Sequence, residues 1–521
     1  MRVLRPPATD RGVWICAFLF LFAMAASWSL ASPYNSAPDE PAHSMRAWAV
    51  AHGQLFASHT SDPEVIGGVV EVPPFYAHSD PACFAFQPNQ SAGCQELGGG
   101  SGTVSAATTA ARAPAYVYGI VGLPTLLLQG AKGFMAMRLW QAALCSALIA
   151  SACVSARRRR WGDWMPVALL IAITPMVVYL SGTINPSGLE IAGAIGMWVS
   201  GLVLVGEESI DRRVLGRFVV AALVVAGTRQ LGPLMVLLIV AALLAVGGMV
   251  AIRRLMASRE VRIGAVIVSV VAVLMVLWVV TQHTFATANS GVVPPTISDA
   301  QMWRDEIGRI WYLYRQSIGW FGWLDTPAPA LTFIAWILAT GTIALVGLSL
   351  ARRRVAVTML ALLAVIIVLP IMVEVPNFRV SSYAWQGRYT LPLIVGVPLL
   401  AAFGLAQNAV RRPSSTSPGL LLGAVLLWIG HVLAFAQALR RYTVGADGGV
   451  QFWNAPQWQP VAPIIALLVM FAVATAAWLW SNLAGAPCEN LSGPTGSDLP
   501  PHPEPSPQRA PHDPDERRVV R

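Results

Sequence analysis

Apolar residues run through this chain in long blocks, and polar residues collect in the gaps between them. Blocks near 20 residues occupy 13–31, 134–155, 164–181, 187–205, 214–228, 231–251, 262–281, 329–351, 355–373, 388–407, 419–438 and 461–482. A helix satisfies its own backbone in hydrocarbon, and about 20 residues carry it across a core ~30 Å thick. The pattern predicts an all-α polytopic transmembrane helical bundle of about 12 spans filling 13–482. The block at 214–228 is short and gives way to TRQLGP. One more apolar stretch, APAYVYGIVGLPTLLLQG at 113–130, is bracketed by Pro114 and Pro124, which fits a helix lying in the interface and not crossing it.

Charge orients these blocks. Arg2, Arg5 and Arg11, Arg157 to Arg160, Arg212 and Arg213, Arg253, Arg254, Arg259 and Arg262, Arg352 to Arg354, Arg411 and Arg412, and the tail arginines occupy alternate gaps. The positive-inside rule makes that side cytoplasmic and puts both termini there. Counting 113–130 as a span would invert every later cluster. Domain limits follow: a cytoplasmic N-terminus at 1–12, a membrane domain at 13–482 with extracytoplasmic loops at 32–133 and 282–328, and a cytoplasmic tail at 483–521. The proline-rich polar tail has too little apolar surface to offset its ordering entropy and is expected to be disordered. The first block has a second reading, a cleaved signal peptide ending at SLA or NSA. Its stretch from Val13 to Ala31 exceeds the usual ~7–15 residues of such segments, so it is read as a retained anchor.

Composition narrows the class. The chain is 55% hydrophobic and 12% charged, with a mean hydropathy of +0.58, against about 25% charged residues in a soluble domain. A soluble enzyme is excluded. The net charge of +9 is dispersed over short clusters and builds no continuous basic face, which argues against a nucleic-acid partner. The six cysteines show no zinc or iron spacing, and only Cys83 and Cys94 share a polar loop. They enclose ten residues on the oxidising side, where a disulfide is expected.

Candidate chemistry gathers on the outer face. SAPDEPAHSMRAWAVAHG, at 36–53, follows the first block. Pro41 suits a first helical turn and Gly53 the position past its end, which predicts a helix over 41–52 with Asp39 and Glu40 before it. Two readings fit the acidic pair: a capped amphipathic helix on the membrane whose acids face water, or part of a site. INPSGLE at 184–190, FGWLDTPAP at 321–329 and WQGRYTLP at 385–392 map to the same face.

These motifs resemble a known pattern. PDE..H, the CFAF…C loop, GWLD and QGRY together resemble the bacterial membrane-protein family called domain of unknown function 2142, from about Val13 to Trp480. That family is similar in turn to the GT-C glycosyltransferases, which take a sugar from a polyprenyl-phosphate carrier at the outer face of the membrane. The resemblance implies a bacterial plasma-membrane location, a lipid-linked donor, an envelope glycan, lipid or protein acceptor, and an acidic catalytic residue in the first outer loop. Asp39 is the first candidate and Glu40 the second. A carboxylate takes the acceptor proton, and a cation holds the departing phosphate.

Arg388 and Arg229, at span ends, suit the phosphate, or snorkel to headgroups; Arg379 is a third candidate. His43 lies four residues beyond Asp39, one helical turn that brings the two together as a pair of ligands to a divalent ion or as an oriented acid, or else it is a surface histidine. Trp323 stacks on a sugar beside Asp325, or the two form an interfacial turn. Gln386, Tyr389 and Asn185 complete the substrate-binding candidates, with helix capping the ordinary role of Asn185. Glu190, one turn inside the lipid, needs a partner. Twelve spans also describe transporters and flippases, and a non-catalytic envelope-assembly role is a third class. No internal repeat supports a two-halved transporter.

Overall fold

The computed structural model describes residues 9–58, 67–157, 163–284, 298–381 and 384–484. Arg2, Arg5, Arg158 to Arg160, the side chain of Arg379 and the tail from 485 lie outside the described residues. In chain order come α1 (Asp10–Ala31), α2 (Glu40–Ala51), β1 (Gly68–Val72), α3 (Pro74–His78), β2 (Val104–Thr108), α4 (Ala115–Gly122), α5 (Gly130–Ala156), α6 (Met165–Ala172), α7 (Pro175–Ser181), α8 (Pro186–Gly206) and α9 (Arg212–Thr228). There follow α10 (Gly232–Ala257), α11 (Arg259–Thr281), α12 (Asp299–Gly319), β3 (Trp320–Phe321), β4 (Thr326–Pro327), α13 (Ala330–Leu350), α14 (Arg353–Ser381), α15 (Gly387–Ile394), α16 (Gly396–Gln407), α17 (Pro418–Val444) and α18 (Ile464–Leu483).

Ten helical segments among the described residues are long and apolar enough to cross a membrane, with α15 and α16 forming one of them. Two of the twelve expected spans depart from that standard. The block at 164–181 is broken into α6 and α7 at Thr174-Pro175, because proline lacks the N–H that would continue the ladder and pushes Thr174 into extended geometry. Both halves are buried inside the bundle. The block at 214–228 becomes α9, whose 17 residues reach about 25 Å. The stretch at 113–130 folds as α4 followed by a 3-10 turn over Leu123–Leu126, about 20 Å in all and too short to cross.

α8 is buried along its whole length and packs against α5, α7, α9, α10, α15 and α16. The faces of α10, α11, α13 and α14 that carry Leu237, Val266, Val270, Leu338 and Leu360 are exposed and apolar, as lipid-facing surfaces must be.

The first loop is more compact than its sequence implied. β1 and β2 pair antiparallel, Gly68 opposite Thr108 and Val72 opposite Val104. With α4, this two-stranded sheet covers α2. Contrary to the expectation of an amphipathic helix with one face on water, α2 buries Ser44, Met45, Arg46, Ala47, Trp48, Ala49 and Val50. The crossing with α4 is close: a Cβ on Gly122 would stand 2.1 Å from the Ala47 carbonyl oxygen, so glycine alone fits. Arg46 bonds the carbonyls of Leu55 (2.8 Å) and Ala113 (3.0 Å), fixing both ends of the cover. Cys83 and Cys94 are joined in a disulfide, with Cα atoms 6.2 Å apart.

Candidate active site

Five elements deliver side chains to one cluster at the start of α2. Asp39 precedes the helix with left-handed dihedrals (φ 61°, ψ 6°) and makes no capping bond, which leaves its carboxylate free to turn outward. Its Oδ2 accepts from Nη2 of Arg388, in the first turn of α15. The carboxylate is half-exposed (43%) and the guanidinium is buried (4%), so one partner is reachable and the other is held. Among the described residues, Nε and Nη1 of Arg388 and Oε1 of Gln386 have no hydrogen-bond partner. The glycine of QGRY permits this approach: a Cβ on Gly387 would stand 2.2 Å from the Leu313 carbonyl oxygen.

Arg229, at the end of α9, completes the cationic side. Its guanidinium lies 4.1 Å from the centroid of the Tyr389 ring, donates to Ser187 Oγ and has Nε 3.6 Å from Glu190 Oε2. The buried acid of α8 thus has the partner its depth requires. Arg388 also approaches the Tyr389 ring, at 5.2 Å.

His43, one turn into α2, hydrogen-bonds through Nδ1 to the Tyr118 hydroxyl at 2.8 Å. Burial, only partly offset by Asp39 and reinforced by Arg388 and Arg229, drives the His43 pKa down to about 3, so the ring is neutral. Burial pushes the Tyr118 hydroxyl up, so it too stays uncharged. For Asp39, burial alone would raise the pKa, but nearby positive charge, Arg388 foremost, outweighs it and holds the carboxyl below the ordinary value. Among the described residues no three His, Cys, Asp or Glu side chains gather to hold a metal ion, and here His43 Nδ1 is engaged by Tyr118 and Asp39 Oδ2 by Arg388.

The remaining candidates are placed differently. Glu40 is fully buried, and both its carboxylate oxygens are spent on Arg138 (2.8 and 2.6 Å), Ile184 N (3.0 Å) and Ala37 N (3.3 Å). Asn185 caps α8 through Ser187 N (2.9 Å) and donates to the Pro38 carbonyl (3.0 Å). Asp325 is not joined to this cluster. It pairs with buried Arg441 (2.8 Å) and accepts from Phe86 N (3.1 Å), while Trp323 bonds the Asn35 carbonyl (3.2 Å) and packs against Phe86. Arg441 further binds the carbonyls of Phe84 (2.6 Å), Gln87 (3.1 Å) and Gln90 (2.8 Å), so the disulfide loop is seated on α17.

Sequence reasoning missed Arg138, Tyr118 and Arg441, and a second acidic cluster behind QGRY. There, Arg309 Nη1 reaches Glu306 Oε1 at 2.5 Å and Glu374 Oε2 at 3.1 Å, and Glu374 Oε1 accepts from Trp385 N at 2.9 Å. Arg138 carried a usable signal, a cation inside an apolar block that is costly unless paired.

The family described as predicted membrane protein (DUF2142) matches residues 20–397. The chain belongs to this family. Asp39, His43, Glu190, Arg229 and Arg388 all fall within the matched residues; Arg441 lies beyond them. The chain is also similar to the crystal structure of ArnT from Cupriavidus metallidurans in the apo state, at 14% identity and a TM-score of 0.43, over 92% of this chain and 77% of that one. No curated protein matches it.

Proposed function

We propose that this chain is a GT-C-like membrane glycosyltransferase, moving a sugar from a polyprenyl-phosphate carrier to an envelope hydroxyl at the outer face of the bacterial plasma membrane, with both termini cytoplasmic. One observation carries the reading: a reachable carboxylate, Asp39, is paired with a buried arginine that still has unpartnered donors. In the transfer, the acceptor oxygen attacks the anomeric carbon opposite the phosphate and its proton passes to Asp39. The bond from the anomeric carbon to the phosphate oxygen breaks, and its electron pair leaves with the phosphate. The fork of Arg388, with Arg229 beside it, is the cationic seat for that phosphate.

The depressed pKa of Asp39 fits this order of events. An incoming phosphate draws positive charge away from the carboxylate, and Asp39 becomes a better base only once the donor is seated. Glu40 holds the loop and takes no part in the proton transfer. His43, Tyr389 and Gln386 line the sugar side.

The test is transfer of labelled sugar from a polyprenyl-phosphate donor in proteoliposomes holding the purified full chain. Asp39→Asn is expected to lower turnover by at least about 100-fold with unchanged folding. Retained turnover removes Asp39 from the mechanism. Movement of the lipid-linked sugar across the bilayer without glycosidic product supports a transporter or flippase, and neither event supports an assembly role.

A further inference from the structure

We propose that Arg138 and Asn185 are positioning residues for Asp39, acting through its two neighbours in sequence and not through its carboxylate. The assignment rests on the reading of Asp39 as the transfer base.

Asp39 sits in the left-handed region, which residues other than glycine seldom occupy; aspartate is among those that tolerate it. Such a residue keeps its direction only when the chain on both sides is held. Here both sides are. Glu40 is gripped by Arg138, a fully buried side chain of α5. The five N–H donors of that guanidinium match five contacts: Nε and Nη2 to the two Glu40 oxygens, Nη1 to the carbonyls of Ser29 (3.1 Å) and Ser32 (2.7 Å), and Nη2 also to Pro33 (2.6 Å). Arg138 thereby ties the end of α1, where backbone carbonyls lack helical partners, to the first residue of α2.

On the other side, the Pro38 carbonyl is held by Nδ2 of Asn185. The Asn185 carbonyl is in turn bonded by Gln141 Nε2 at 2.7 Å. Gln141 lies three residues beyond Arg138, so one face of α5 secures both neighbours of Asp39. None of these bonds touches the Asp39 side chain, which is left to meet Arg388.

The same device links the two halves of the site. Asn185 caps α8, and the next turn of α8 carries the Ser187 and Glu190 that hold Arg229. A shift of α8 therefore moves the loop behind the base and the cation beside it together.

Arg138→Lys keeps the charge but cannot reproduce a planar fork plus three carbonyl contacts. Asn185→Ser keeps a capping oxygen and removes the donor to Pro38. Two readouts on the full chain in proteoliposomes separate positioning from folding. The first is sugar transfer: kcat is expected to fall about 100-fold in each variant with KM unchanged. The second needs no transfer activity. An Asp39→Cys reporter is modified with a charged, membrane-impermeant methanethiosulfonate, and its rate is expected to change when Arg138→Lys or Asn185→Ser is added. Native kcat and an unaltered thiol-modification rate in Asn185→Ser overturn the proposal, even if Arg138→Lys does not fold. A chain that transfers no sugar defeats the reading of Asp39 as base, yet the modification rates of the reporter still decide whether the loop is held as described.

Discussion

Arg388 donates from Nη2 to Oδ2 of Asp39 across 349 residues of sequence, and the two are unequally buried. Burying a guanidinium is costly unless its donors are met, and here Nε and Nη1 have no partner among the described residues. The pair therefore leaves an arginine with two unpartnered donors, which is the feature the proposed phosphate seat rests on.

Arg388→Lys is the sharpest probe of that relationship. A lysine retains the charge that keeps Asp39 ionised but loses the fork, so transfer is expected to drop about 100-fold. Arg388→Gln removes the charge as well and is expected to do worse. Steady-state kinetics at saturating acceptor measure both, and a fully active Arg388→Lys enzyme would mean the fork makes no contact with the donor.

Acid stability reports on His43. Its folded pKa of about 3 lies below the unfolded value of 6.5, so as the pH falls the unfolded chain takes up the proton first. The stabilisation is present above pH 6.5 and is lost as the pH falls through 6.5 towards 3. His43→Gln, which keeps a neutral polar partner for Tyr118, is expected to flatten this slope in thermal unfolding of the detergent-solubilised protein between about pH 4 and pH 7.

Ten of the twelve expected spans were legible because lipid makes one demand, an apolar block of helical length, whereas that pattern makes 164–181 one unbroken span and the break at Thr174-Pro175 was not expected. The convergence of PDEPAH, INPSGLE and QGRY was legible as far as a shared face. Which side chain bonds which was not. Glu40 and Asp39 are neighbours with the same functional group, and only the fold shows that one is spent on Arg138 while the other is open. The burial of α2 was hidden for a similar reason, since the elements that cover it, the β1–β2 sheet and α4, arrive later in the chain. Asp325 looked like a site residue because its motif shares the outer face, but its partner Arg441 lies 116 residues on.

The disulfide loop offers a separate test. Cys83–Cys94 closes a short loop whose carbonyls are bound by Arg441, and a loop of this size is worth about 3 kcal/mol in the chain-entropy account. Cys83→Ser with Cys94→Ser is expected to raise amide exchange across 84–93 and leave α8 protected. Arg441→Leu, which strands the buried Asp325, is expected to be more damaging, by about 3–5 kcal/mol. Hydrogen exchange with mass spectrometry reads both, and equal protection in all three proteins would show that neither the crosslink nor the ion pair seats the loop.

Glu306 gives the opposite pH slope to His43. Burial first, and then the hydrogen bond and charge of Glu374, raise its pKa to about 7 from an ordinary 4.5, against the opposing pull of Arg309. The native state therefore binds this proton more tightly than the unfolded chain does. Its contribution is fully present below pH 4.5 and is lost as the pH rises through about 7. Because Glu374 also accepts from Trp385, one residue before the start of QGR, ionisation of Glu306 places a negative charge beside the cluster that backs the segment carrying Arg388. Glu306→Gln holds the position neutral at every pH. It is expected to raise the unfolding midpoint at about pH 8 relative to the native chain and to leave it unchanged near pH 4.5. The reverse ordering at the alkaline end would show that Glu306 is ionised and favourably paired with Arg309 in the folded protein.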